Sequence, residues 1–256
     1  VKEKKHSALY RYIERLHGER PWGAMLDAGT GVNSIRWLAG LATERWTAVT
    51  GSAFEVEGAR KAIGEAQRPQ DRIVLGNWAD GQLLKDEIYD TVLADYLLGA
   101  IEGFAPYFQP YLFERLRPLT RSTLYATGLE PYVPGARPEN KAERVVWEIG
   151  RFRDACILLA GDRPYREYPA PWMADHVERA GFAIRNIKHF TIRYKERFVN
   201  AQIDISARRL EALSDGTLAQ ALKERGEFLR TEALDVISAD GALRSCRNYV
   251  IAAEPA

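Results

Sequence analysis

The stretch Ala24-Met25-Leu26-Asp27-Ala28-Gly29-Thr30-Gly31-Val32-Asn33-Ser34 decides the fold. A short apolar run ends in an acid, two glycines break it, and apolar residues return at helical spacing through Ile35, Leu38, Ala39 and Ala42. That order is strand, tight turn, helix. Gly29 and Gly31 let the backbone turn sharply and let a ligand approach main-chain atoms with no Cβ in the way. The helix after them begins with unpaired N–H groups. A dinucleotide site would put a pyrophosphate there, and would want glycine or alanine where Ser34 stands. With Asp27 two residues ahead of the first glycine, an anion is repelled and a cationic amine is held.

The rhythm repeats along the chain. Trp46 to Thr50 reads as a second strand and Glu55 to Glu65 as a helix. Arg72 to Leu75 gives a third strand, Thr91 to Ala94 a fourth and Ser122 to Thr127 a fifth, with a helix from Tyr107 to Leu116 closed by Pro118. Strands alternating with helices imply βαβ units and a parallel sheet, and their nearly continuous apolar character implies cover on both faces. Ahead of them, Leu9, Tyr10, Ile13 and Leu16 mark an amphipathic helix from Ser7 to Leu16.

After Thr127 the pattern changes. Pro131, Pro134 and Pro138 mark a linker, Asn140 to Ala160 a long helix, and Gly161 to Trp172 a proline-rich loop. A helix from Pro171 to Ala180 and a strand from Ile184 to Tyr194 follow. Lys195 to Ile237 is helical with a break at Ser214-Asp215-Gly216, and Asn248 to Ala252 closes as a strand. The expected architecture is α/β: a doubly wound, seven-stranded, mostly parallel sheet with helical insertions forming a lid. It reads as a single domain over 1–256, with an N-terminal helix in 1–20, an insertion or lid in 131–171 and a helical excursion in 195–240.

Composition narrows the function classes. The 256 residues are 46% hydrophobic and 28% charged, enough to bury a core without disulfide scaffolding. With 36 basic against 35 acidic residues the formal charge is +1, which excludes the broad basic footprint of a non-specific nucleic-acid binder. Cys156 and Cys246 form no ligand-spaced cluster, and none of the four histidines (His6, His17, His176, His189) has a metal-spaced partner, so no metal site is expected. The charged start is not followed by an apolar stretch of signal-peptide type, and no run is long enough to span a membrane. A cytoplasmic protein without a membrane partner is expected. No Gly-x-Ser-x-Gly elbow, Walker loop or His-Glu-x-x-His occurs, which removes the hydrolase, NTPase and metalloprotease readings.

The acid-glycine turn resembles motif I of the class I S-adenosylmethionine-dependent methyltransferases, and the resemblance extends in motif order over about residues 20–130. It implies a Rossmann-like methyltransferase fold and S-adenosylmethionine as cofactor, with S-adenosylhomocysteine as product. Asp27, Gly29, Thr30 and Gly31 would cradle the methionine part. The family's acid at the end of the second strand, which accepts the ribose hydroxyls, is absent from Val49-Thr50-Gly51-Ser52-Ala53-Phe54-Glu55; Glu55, two or three residues on, is the acid left to reach back. An unreplaced two-pronged acceptor weakens binding by about 1–3 kcal/mol. In Gly76-Asn77-Trp78-Ala79-Asp80, Asn77 is the partner for the adenine amino group; Trp78 either lies against the ring or belongs to the core, and Asp80 is a turn residue.

By the same resemblance the fourth strand ends at the transferred methyl group. There Asp95, Tyr96 and Glu102 lie in Ala94-Asp95-Tyr96-Leu97-Leu98-Gly99-Ala100-Ile101-Glu102. Asp95 and Glu102 are loosely similar to the acid pair with which protein arginine methyltransferases clamp a guanidinium, and are the expected catalytic groups. Asp95 also counts toward the cofactor. A carboxylate can orient an amine and receive its proton; alternatively Asp95 bonds its own loop and Glu102 is a helix N-terminal charge. Tyr10, Tyr96, Glu130, Tyr165 and Arg166 are the candidate substrate contacts, with Glu130 at the carboxyl edge of the fifth strand, where open α/β sheets gather ligands. Methyl transfer to a nucleophilic nitrogen or oxygen of a small molecule is expected, the acceptor being a cationic amine or guanidine, and nucleic acid is not a partner. A protein methyltransferase is the alternative enzyme, and a non-catalytic protein of the same fold, binding or scaffolding, is the alternative from another class.

Overall fold

A computed structural model describes residues 7–133 and 135–256; the charged opening through His6 and the linker proline at 134 lie outside the described residues. Seven strands make one sheet: β1 (Ala24–Asp27), β2 (Arg45–Thr50), β3 (Arg72–Leu75), β4 (Tyr89–Asp95), β5 (Thr120–Leu129), β6 (Phe182–Tyr194) and β7 (Leu243–Pro255). Their order is β3-β2-β1-β4-β5-β7-β6, and the pairs β2–β3, β1–β2, β1–β4 and β4–β5 are all parallel. The order reverses between β1 and β4. That places a crevice at the carboxyl ends of these strands, where open α/β sheets bind ligands.

Helices α1 (Ala8–His17), α2 (Val32–Leu38), α3 (Ala53–Ile63), α4 (Leu97–Ala100), α5 (Leu112–Leu116), α6 (Lys141–Leu159), α7 (Ala170–Arg179), α8 (Glu196–Leu210) and α9 (Gly216–Asp240) complete the order. The single helix expected from Tyr107 to Leu116 is instead a 3₁₀ turn at Gln109–Tyr111 followed by α5. Tyr107 has φ +73°, outside the right-handed helical region, and Pro110 lacks the N–H a regular helix needs. The long helical stretch after Lys195 does break at Asp215, whose carboxylate accepts the Leu218 N–H at 3.0 Å and caps α9.

The chain divides into two compact units. The first comprises residues 1–128, 168–189 and 249–256; the second comprises 129–167 and 190–248. The first unit's core is the apolar sheet face, with Leu26, Val92, Leu124 and Ile251 fully buried beneath α5 and α7 residues such as Phe113 and Met173. The second unit's core is built where α6, α8 and α9 pack on one another, through Val145, Ile149, Val199, Ile203, Leu229 and Ala233. Among the described residues no helix is long and apolar enough to cross a membrane.

One close approach fixes the sheet's packing in the first unit. A Cβ on Gly128 would overlap the ring of Tyr249, which is fully buried and whose hydroxyl donates to the Tyr168 carbonyl at 2.6 Å. The ring therefore has no room to yield. Gly128→Ala should lower stability by about 2–3 kcal/mol, read as a reduced midpoint in urea with an unchanged slope. A midpoint equal to wild type would show that the ring moves freely.

Candidate functional site

The β1–α2 turn is pinned on both sides. Ala28 N–H donates to Leu93 O of β4 at 2.8 Å, and Thr30 N–H donates to Val49 O of β2 at 2.7 Å. Gly29 is required by contact: a Cβ there would sit 2.9 Å from Leu97 Cδ1. Gly31 has open space instead, and its N–H donates to Ser34 Oγ at 3.0 Å while Ser34 donates back to Gly31 O at 3.2 Å. Ser34 therefore closes the start of α2.

Asp27 ends β1 with no solvent exposure. Its Oδ1 accepts a long 3.5 Å bond from Gly29 N–H, and among the described residues its Oδ2 has no partner within hydrogen-bond distance. Its pKa is raised to about 7, first by burial and then by the charge of Asp95, against the opposing pull of the Thr30 and Ser34 hydroxyls and the Gly29 N–H. Asp95 lies beyond Leu93, the register partner of Asp27, and two residues on, so it shares that face of the sheet. It accepts 2.6 Å bonds from Tyr10 Oη and from Thr127 Oγ1, its own register partner on β5. Burial raises its pKa too, while both hydroxyls favour its ionised form.

Helix α1 delivers Tyr10. Ser7 caps the helix by accepting the Tyr10 N–H at 3.3 Å, and Leu9, Tyr10, Ile13 and His17 form its buried face. The Tyr10 ring stacks on Trp37 at 4.7 Å, nearly parallel, and the Trp37 indole N–H returns to α1 by donating to Glu14 at 2.6 Å. Burial and the adjacent Asp95 hold the Tyr10 hydroxyl protonated far above the ordinary phenol range.

The other sequence candidates fall in three places. Tyr96 follows Asp95 in the left-handed region (φ +49°), its N–H donating to Thr127 Oγ1 at 3.0 Å, and its half-exposed side chain lies next to the carboxylate. Glu102 is buried and accepts from Gln109 Nε2 at 2.8 Å, so the two acids of the expected pair take different partners. At the ends of β2 and β3, Ser52 caps α3 by accepting the Glu55 N–H, and Glu55 itself is a half-buried first-turn residue. Asn77 donates to Phe104 O at 2.8 Å and accepts the Ala79 N–H at 3.0 Å. The Phe104 ring lies on Gly51, 2.7 Å from where a Cβ would stand. Trp78 is a core residue: it is buried, and its indole N–H donates to Ala28 O at 2.6 Å, bracing the β1 turn from below.

Glu130, Tyr165 and Arg166 belong to the second unit. Glu130 N–H donates to Arg247 O at 2.9 Å, and the residue lines a cleft of about 520 Å³ with Tyr132, Asn140, Glu143 and Cys246. Tyr165 and Arg166 are exposed in the loop ahead of α7. Three contributors escaped sequence reading: Thr127, Trp37 and Phe104. Thr127 carried a signal, a hydroxyl at the carboxyl end of the strand next to Asp95; the other two read as ordinary apolar positions.

No protein-family model matches the chain, and no curated protein sequence does. Solved structures match over nearly its whole length. A putative methyltransferase (BH2331) from Bacillus halodurans is similar at 16% identity and a TM-score of 0.60, covering 98% of this chain and 100% of that one. Coclaurine N-methyltransferase bound to N-methylheliamine and SAH is similar at 15% identity and 0.54, covering 99% and 75%. The [4+2]-cyclase SpnF is similar at 15% and 0.53, covering 96% and 81%. The fold is thus the Rossmann-like methyltransferase fold. A cyclase shares it, so the chemistry has to be argued from the site.

Proposed function

We propose that the first unit binds S-adenosylmethionine and that the protein transfers its methyl group to a nitrogen or oxygen of a small molecule. The observation that carries this reading is the buried, unpartnered Oδ2 of Asp27 at the glycine turn, beside the half-buried carboxylate of Asp95. Two such acids are costly unless a cation completes them. The α-ammonium of the cofactor's methionine part is such a cation, and Asp27 would hold it. When bound, the cofactor supplies a methyl group on a sulfonium, which a nucleophilic acceptor displaces with little proton chemistry.

The chain's own contribution is then orientation and exclusion of water. Asp95 is fixed at both oxygens by Tyr10 and Thr127, and retains lone pairs with which to orient an amine and receive its proton. Tyr10, stacked on Trp37, covers the carboxylates from the α1 side and keeps the local dielectric low. An amine acceptor accords with this acidic surround, and coclaurine N-methyltransferase is a structural neighbour by name an N-methyltransferase. The arginine-clamp alternative loses support because Glu102 is bonded to Gln109.

A second reading has its own observation. No carboxylate stands at the end of β2, Ser52 is taken by its cap and Asn77 by Phe104, which favours a binding protein of this fold that does no methyl transfer. Calorimetric titration with S-adenosylmethionine and S-adenosylhomocysteine separates the two. Micromolar binding, followed by methyl transfer in a screen of amines and phenols, is expected; a folded protein that ignores both at millimolar concentration would establish the second reading.

A further inference from the structure

We propose that Asp27 and Asp95 hold one proton between them before a ligand arrives, and that the ligand's ammonium group takes that proton's place. The proposal rests on reading the first unit as an S-adenosylmethionine site and adds how that site handles charge. Its geometry is a division of labour between a fully buried carboxylate, Asp27, and a half-buried one, Asp95. Asp95 accepts two 2.6 Å hydroxyl bonds, one at each oxygen, which stabilises its charge. Asp27 has a long bond from Gly29, two more distant turn hydroxyls and an oxygen with no close partner, so it is the member that takes the proton.

The groups that act on Asp27 come from every element around it. Asp95 faces it from β4 and Tyr10 from α1, and the hydroxyls of Thr30 and Ser34 and the Gly29 N–H come from its own turn. None of these is a cation. Among the described residues nothing in the cluster therefore neutralises two carboxylates at once, and two neighbouring acids shielded from water cannot both ionise cheaply. The balance of the exchange is simple. Asp27–COOH and an incoming R–NH₃⁺ give the ion pair Asp27–COO⁻···⁺H₃N–R and one H⁺ delivered to solvent. No bond other than the acid O–H is broken, and no co-reactant is needed.

The consequence is a pH-dependent affinity with a definite sign. Below the point at which Asp27 ionises, each binding event expels a proton, so affinity rises about tenfold per pH unit; above it, affinity levels off and then falls as the ligand's own α-ammonium deprotonates near about pH 8. The test is calorimetric titration of the full chain with S-adenosylmethionine at pH 6, repeated in buffers of low and high ionisation enthalpy. The proposal expects the observed enthalpy to change with the buffer by an amount equal to nearly one released proton. Carbon-13 NMR of aspartate carboxyls in the protein alone supplies a readout without the cofactor: one carboxyl should titrate with a midpoint near 7 and be missing from Asp27→Asn. Binding whose enthalpy is the same in all buffers, or no carboxyl titrating above the ordinary aspartate range, overturns the shared proton and leaves the cofactor reading standing. No binding at any pH overturns the cofactor reading and the proposal with it.

Discussion

Asp27→Asn should make the protein more stable at pH 8 while it weakens the hold on S-adenosylmethionine. Asp27 is wholly buried, and its folded pKa of about 7 stands above the ordinary aspartate value of 3.8. A folded state that holds its proton more tightly than the unfolded one loses stability as pH rises between those two values. The cost is absent below pH 4 and complete above pH 7. At 1.36 kcal/mol per pH unit of separation it approaches about 4 kcal/mol, of which the amide, still poor in partners, should recover about 2–3 kcal/mol. The wild-type protein should therefore be less stable at pH 8 than at pH 5 by a margin that the variant lacks. Against that gain, loss of a charged partner for an ammonium costs about 1.5–3 kcal/mol, or a Kd raised about ten- to a hundredfold. Denaturant unfolding at the two pH values and calorimetry check the two halves independently. A destabilised variant at pH 8 would mean that Asp27 has a partner the geometry does not show.

Trp37→Ala should remove about 3–5 kcal/mol, a large part of the 5–15 kcal/mol typical of a domain. Trp37 is among the largest fully buried side chains, and three kinds of contact meet on it. Tyr10 stacks on its face, Trp22 meets it nearly perpendicularly at 5.8 Å, and its N–H donates to Glu14. Truncation leaves a cavity between α1 and α2 and also frees the ring that carries the Tyr10 hydroxyl to Asp95. Trp37→Phe keeps an aromatic face and should lose only about 1–2 kcal/mol. Thermal unfolding orders the series; a Trp37→Ala protein within 1 kcal/mol of wild type would show that α1 is not held through this residue.

The β1 turn was legible because its signal is local. An acid, two glycines and a resumed helical period occupy adjacent positions, and each has one backbone consequence. The doubly wound, mostly parallel sheet followed from the same alternation, since short apolar strands separated by helices leave few arrangements open. The fates of Asn77, Trp78 and Glu102 were not legible for the opposite reason. Each is a polar group whose partner is fixed only by the finished fold: Phe104 O for Asn77, 27 residues on, Ala28 O for Trp78, 50 residues back, and Gln109 for Glu102. Sequence spacing names the donors and acceptors available at the ends of strands and leaves undetermined which of them are already engaged. Tyr10 is the instructive middle case. Its helix could be read from periodicity, whereas its bond to Asp95, 85 residues away, required the β1–β4 pairing to exist.

The two main-chain bonds that pin the β1 turn have a bearing on when the site comes into being. The turn is a contiguous peptide of about ten residues, yet Ala28 is held by Leu93 and Thr30 by Val49. Neither acceptor is in place until the chain has closed loops of very different length, and the longer closure, to β4, is the entropically dearer one. During synthesis the glycine segment leaves the ribosome long before the strand that shapes it. Nascent chains halted after β3 would own every motif I residue and still lack the carboxylate neighbour, the tyrosine contact and the pinned amide. Competence at this site is thus contingent on topology: a fragment ending before β4 would carry the glycine segment without the Leu93 acceptor that pins it or the Asp95 carboxylate beside it.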